Sequence, residues 1–455
     1  MIKKILKISL KLFFIFFIPV YMAYHYVAER IYQANLPMGE VIGLDENAVM
    51  ANAIAMATDM INKTRNDLTN EGIIAGDATQ AGTGYDDLFG RPKPPETTGG
   101  RGGPVTYRRD VHIKSHGCVQ AEFTVPELGN TYSWGVLSKP GTYKAWIRYS
   151  NGDYILKPDK KRDARGMAIK LMGVDGEKLL PGQEKARTQD FVMMNATNYF
   201  IRHVEDYVEL TKYLAVGDNL GYFLNGYSLN PFSWRFRELR LVAGTKKRPP
   251  ETPLNTQYFS ASAYKLGPSN IKFSAKPGQC LDANGQPEEH KRGYWETDKD
   301  DYNFLRLRMS EQLEAGPACF DFMVQMQVPG KIMPVEDATI AWSEDDSPFV
   351  KVAEIRIPRI SEQPATGTER VQPPFDTEAN RQFCENLSFN PWHSLPEHRP
   401  VGVFNRVRKA LYQEIAKYRW DANRRQYDDP SAPALMKDQP REPQPWTDSR
   451  SMPKN

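Results

Sequence analysis

Short runs of alternating apolar and polar residues fill the middle of this chain. From Phe320 to Val328 the side chains of Phe320, Phe322, Val324, Met326 and Val328 share one face, with Asp321, Gln325 and Gln327 on the other. That period of two marks a half-buried strand. Similar runs at Gln120–Val125, Tyr143–Ser150, Gly166–Met172, Phe191–Met194 and Phe349–Ile357 predict a large antiparallel sheet or barrel with helices attached, an α+β fold. Helical spacing is expected over Tyr199–Tyr213, Asn303–Leu313 and, most strongly, Arg406–Gln426, which has good helix formers and no Pro or Gly. Near the N-terminus, Asn47–Ile61 reads as a helix with Asp45 as a cap.

The two ends differ from this body. Lys3, Lys4, Lys7 and Lys11 precede an apolar block from Leu12 to Val27, near the lower limit for a membrane span. With no small-x-small cleavage signal before Glu29, it reads as an uncleaved signal anchor that leaves the body on the periplasmic or extracytoplasmic side. Residues 72–104 are rich in Gly, Pro, Thr and Asp, which suits an extended arm or linker, and the Pro-rich tail suits disorder. The expected organisation is an anchor over 1–30, a helix and arm over 31–104, a body over 105–425 and a tail over 426–455.

The 455 residues can bury a large core, and 59 Lys+Arg against 56 Asp+Glu leaves a net charge of +3. No field of that size argues for nucleic acid, so nucleic-acid binding is set aside. The four cysteines Cys118, Cys280, Cys319 and Cys384 contain no CxxC pair, and they settle neither a metal site nor a compartment. His112, His116 and Cys118 are close in sequence, but their spacing matches no strong metal signature.

The chemistry begins with Arg408, Tyr412 and Arg419, spaced four and then seven residues apart on one helical stripe. A phenol, with an ordinary pKa of about 10, ionises near neutral pH only beside a fixed cation or a metal. An arginine one turn away is such a cation, and phenolate is a known axial ligand of haem iron. Peroxide chemistry on the other side of a haem needs a neutral base to move a proton between the two oxygens. His112, just before a strand, is a candidate.

The order of segments resembles the haem catalase family. Arg109-Asp-Val-His112, leading into Glu122-Phe-Thr-Val125, is similar to the segment that carries the distal histidine. Ile147-Arg-Tyr-Ser150 with Asp163-Ala-Arg-Gly-Met-Ala-Ile-Lys170 resembles Arg-Phe-Ser and Asp-x-Arg-Gly-Phe-Ala-x-Lys. Asp190-Phe-Val-Met-Met-Asn195, closed by Tyr199-Phe-Ile-Arg202, resembles Asp-Leu-Val-Gly-Asn-Asn and Phe-Phe-Ile-Arg. Arg408-Lys-Ala-Leu-Tyr412, with Arg419, resembles the proximal Arg-x-x-x-Tyr motif.

The resemblance covers roughly residues 105–419. It implies a catalase-like antiparallel barrel that binds haem b, with Tyr412 as the iron ligand and Arg408 as its charge partner. His112 would be the distal acid/base, Asn195 the distal hydrogen-bond donor and Ser150 the group that orients His112. Arg109, Arg148 and Arg419 would hold propionates. The implied activity is decomposition of hydrogen peroxide, with assembly into homo-oligomers through the arm. A peroxidase, a lipid-hydroperoxide isomerase or lyase, and a non-catalytic haem protein are the alternatives. Met193-Met194 stands where the family has Gly-Asn, Ala416 where many members have His, and Tyr149 where they have Phe. These departures bring the chain nearer to catalase-like haem proteins outside the typical catalases, a group that includes relatives acting on fatty-acid hydroperoxides.

Overall fold

The structure is a computed structural model, and it describes residues 18–43, 46–56, 112, 114–153, 157–216, 218, 220–282, 284–288, 295–362 and 387–422. Among the described residues nine strands form one antiparallel sheet: β1 (Ser115–Val125), β2 (Gly141–Asn151), β3 (Arg165–Met172), β4 (Thr188–Met194), β5 (Tyr258–Phe259), β6 (Tyr264–Leu266), β7 (Ser269–Gly278), β8 (Ala318–Met326) and β9 (Val350–Ile357). Their order is β5-β4-β3-β2-β1-β9-β8-β7-β6, and a further β5–β7 pairing closes the ring. Eight strands therefore make a barrel, with β6 attached outside the ring to β7. Closure leaves few edges for stray pairing.

Alternation along each strand sends one set of side chains into the barrel. On β3, Met167, Ile169 and Leu171 enter the core with Ile147, Tyr149, Phe191 and Met193 from neighbouring strands. Phe322 is central, with ring centroids 5.1 Å from Phe123, 4.8 Å from Phe191 and 5.7 Å from Phe273. These separations suit aromatic contact, and the four rings supply much of the buried apolar area.

The outer face is not simply solvated, which the half-buried reading of the strands did not anticipate. Lys170 on β3 is fully buried and donates to Asp190 on β4 at 2.8 and 3.0 Å, while the His393 ring lies 2.8 Å from the same carboxylate. Gln325 on β8 donates to the carbonyls of Trp342, Ser343 and Ser347. A second layer of loops and helices covers these polar faces, and Asp190 and Gln325 find partners there.

Among the described residues the helices around the barrel are α1 (Ile18–Ala34), α2 (Val204–Ala215), α3 (Phe236–Thr245), α4 (Phe304–Ala315) and α5 (Val403–Ala422); residues 46–56 are also helical. The predicted helices at Tyr199–Tyr213 and Asn303–Leu313 correspond to α2 and α4, while α3 and strands β5 to β7 were not foreseen. The expected anchor, residues 12–27, lies partly outside the described residues. No helix among the described residues is long and apolar enough to cross a membrane. The described part, α1, docks on the body: Tyr21 packs 5.5 Å from Phe236 and donates to the carbonyl of Trp234, and Glu29 pairs with Arg202 at 2.7 Å. Residues 1–17, most of the arm and the tail lie outside the described residues.

Cys280 and Cys319 form a disulfide across a sequence separation of 39, and Cys118 is disulfide-bonded as well. No described cysteine is free.

Two histidines are locked neutral inside the body. Burial drives His398 down to about 4, and its Nε2 accepts the backbone N–H of Val136 at 3.0 Å. Burial drives His116 to about 3, the nearby Asp159 only partly opposing it. The unfolded chain takes up these protons near pH 6.5, and the folded one refuses them until much lower. Stability is thus present above about pH 6.5 and lost as pH falls towards 4, by up to about 1.4 kcal/mol per histidine per pH unit. Urea midpoints measured from pH 7 to 4.5 should fall, and His398→Gln should flatten part of that fall. An unchanged slope in the variant would remove His398 from this explanation.

Candidate functional site

The barrel's outer face on β2, β3 and β4 forms one wall of a cavity of about 580 Å³. Register decides which side chains reach it. Arg148 pairs with Ala168 and Ala168 with Val192, while Ser150 pairs with Gly166 and Gly166 with Met194. All six line the cavity, since residues directly opposite one another in a sheet point the same way. The α5 wall contributes Arg408, Leu411, Tyr412, Ile415 and Ala416; α2 and α3 add Leu210, Leu214 and Val242. His112 and Tyr412, far apart in sequence, thus line one chamber.

His112 sits just before β1 with φ of 60°, a left-handed conformation that a non-glycine residue adopts only where its surroundings enforce it. Three contacts do so. Its Nδ1 lies 3.2 Å from Ser150 Oγ, and Arg148 Nη2 donates to its carbonyl at 3.1 Å. The third is a missing side chain: a Cβ on Gly166 would lie 2.8 Å from His112 Nδ1 and 2.8 Å from Ser150 Oγ. Gly166 therefore makes the space in which the imidazole rests.

On α5, Arg408 donates to Tyr412 Oη at 3.2 Å, to Asn405 Oδ1 at 3.1 Å and to Tyr264 Oη at 3.4 Å. The guanidinium is buried, and among the described residues no carboxylate pairs with it. Burial works against its charge, yet Tyr199, Tyr412 and Tyr264 hold it above its ordinary range. Burial pushes Tyr199 up to about 12, with Arg408 pulling the other way. The helix is held at its start by carboxylates. Val403 N–H donates to Glu336 at 2.8 Å and Gly402 N–H to Glu40 at 3.0 Å, where the helix dipole favours negative charge.

Asn195 is placed differently from its expected role. Its Oδ1 accepts the backbone N–H of Arg165 at 2.7 Å, its own N–H donates to the Arg165 carbonyl at 2.9 Å, and it does not line the cavity. Successive residues of an extended chain point to opposite faces, so Met194 takes the position beside His112 and Asn195 is turned away. Arg148 lines the cavity and holds the His112 backbone. Arg109 lies outside the described residues; Arg419 falls within α5, its side chain undescribed. Reading the motifs alone passed over Gly166, Met194, Tyr264 and Asn405. The Met-Met substitution was visible, but only the β3–β4 register says which methionine faces the chamber.

The donor set fits a haem. A phenol with a buried guanidinium beside it suits an anionic iron ligand, apolar walls suit a porphyrin, and Arg148 offers charge for a carboxylate. Arg408 Nε is buried with no hydrogen-bond partner among the described residues, so one donor of this cation is left unpaired there.

Among solved structures the chain is similar to catalase A from Saccharomyces cerevisiae, at 15% identity and a TM-score of 0.51, covering 77% of this chain and 73% of that one. It also matches a fungal catalase at 15% identity and a TM-score of 0.48, covering 76% of this chain and 71% of that one. A bacterial catalase matches at 17% identity and a TM-score of 0.44, covering 84% of this chain and 74% of that one. No protein-family model matches the sequence, and no curated protein matches it. The fold is that of the catalases.

Gly166→Ala should leave the barrel folded but displace the His112 ring by on the order of 1 Å, because a new Cβ needs about 3.5 Å of clearance. A crystal structure of the variant checks this. An unmoved imidazole with its Ser150 contact intact would show that Gly166 does not set its position.

Proposed function

We propose that the chain is a haem b protein of catalase type that reacts with peroxides at the chamber between β2–β4 and α5. The observation that carries this reading is that two polar pairs, His112 with Ser150 and Arg408 with Tyr412, each at 3.2 Å, line one apolar cavity. Tyr412 is the iron ligand and Arg408 its charge partner. The haem, when bound, supplies the electrons that cleave the O–O bond.

The chain's own residues handle protons and position. His112 takes a proton from the near peroxide oxygen and returns it to the far one, which turns a poor leaving group into water or an alcohol. Ser150 and Arg148 keep the imidazole oriented, from Nδ1 and from the backbone carbonyl respectively. Burial of the pocket excludes bulk water from this exchange. Hydrogen peroxide is the simplest substrate; a second reading, an organic hydroperoxide, is favoured by the apolar walls from α2 and α3.

The setting proposed for this protein is outside the cytoplasm, tethered by the lysine-flanked N-terminal segment. The Cys280–Cys319 disulfide supports an oxidising compartment. Assembly into a homo-oligomer through the arm belongs to the same proposal.

The test is the optical spectrum of the purified protein followed by an oxygen-electrode trace on adding peroxide. Tyr412→Phe should lose most of its haem. His112→Ala should keep haem but cleave peroxide about 10²–10⁴-fold more slowly. A Tyr412→Phe protein with full haem and full turnover would overturn the ligand assignment.

A further inference from the structure

Resting on that reading, we infer that the site selects an organic hydroperoxide with an apolar substituent over hydrogen peroxide, and that Met194 is the residue that sets this preference. The row Ser150–Gly166–Met194 runs straight across β2, β3 and β4, directly beneath His112. Two of the polar groups on this wall already serve the imidazole: Ser150 at its Nδ1 and Arg148 at its carbonyl. The next position along the row is a thioether, which donates no hydrogen bond and accepts only weakly. The carboxamide of the next residue, Asn195, holds the Arg165 backbone and does not line the cavity.

Hydrogen peroxide carries two O–H groups and needs polar partners at both ends. Held at His112, its far end would meet Met194, Val192 and Ala168 and lose hydrogen bonds that water provides, a penalty of roughly 5- to 150-fold in affinity per group. A hydroperoxide R–OOH has a single O–H, which His112 accepts, and its R group gains roughly fourfold in affinity for each CH₂ buried. Room for R lies along the same chamber, where Leu210, Phe223 and Val242 form the lining. Both terms favour the organic substrate. The flexible methionine can also adjust to R groups of different shape.

The test uses the purified full chain and two probes, cumene hydroperoxide against hydrogen peroxide for turnover and cumyl alcohol, which does not react, for binding by calorimetry. In the wild type the organic peroxide should be consumed at least about tenfold faster than hydrogen peroxide at equal concentration. Met194→Asn should shift that ratio by about tenfold or more towards hydrogen peroxide and weaken cumyl alcohol by a similar factor, while Met194→Leu should retain the preference. A wild type that favours hydrogen peroxide, or a Met194→Asn protein with both ratio and alcohol affinity unmoved, overturns the proposal. A protein that takes up no haem defeats the functional reading instead. Calorimetry on that haem-free protein still decides the role of Met194: unchanged affinity in Met194→Asn rejects it, and weakened affinity supports it.

Discussion

A positive charge buried with no carboxylate partner among the described residues is the constraint on which the site depends. Arg408 is surrounded by Tyr412, Tyr264, Tyr199 and Asn405, all neutral in their ordinary states. Taking an ion out of water is expensive, and neutral dipoles offset that only in part. Two of these phenols, Tyr199 and Tyr412, line the chamber, and Tyr412 lies one helical turn from Arg408. The charge that is a liability in an apolar core would be an asset beside the ligand proposed for Tyr412.

The opposite wall solves a different problem, that of holding an imidazole still outside regular structure. His112 precedes β1 and adopts a left-handed backbone, outside any helix or strand. Its orientation comes from two adjacent strands: the β2 pair Arg148 and Ser150, and the absent side chain of Gly166 on β3. The phenylalanine-rich barrel interior makes that wall stiff, because close packing resists displacement by even a methylene group. Precision at the surface of the barrel is thus a product of its core.

The helix wall is tied down from a different quarter. Arg406 on α5 bridges Glu40, Glu46 and Glu336, and Glu40 also pairs with Arg399 at 2.6 Å. The N-terminal segment therefore works as a brace for the helix that bears Tyr412. In the same region Glu29 joins α1 to Arg202 and Arg237. Residues read in sequence as an anchor's end and the start of a linker contribute to the packing around the site.

The sequence by itself determined whatever depends on near neighbours. Period-two alternation located six strands of the barrel, helical spacing placed Arg408 and Tyr412 on one stripe, and four ordered motifs carried the likeness to catalases. Only the tertiary structure decided what depends on distant pairing: closure through β5 and β7, burial of the outer strand faces, disulfide partners and the docking of α1. It also decided that Met194, and not Asn195, stands beside His112. The physical reason is that a one-residue change of position along a strand reverses its face, and the face is read from cross-strand register, which joins residues that local periodicity cannot connect.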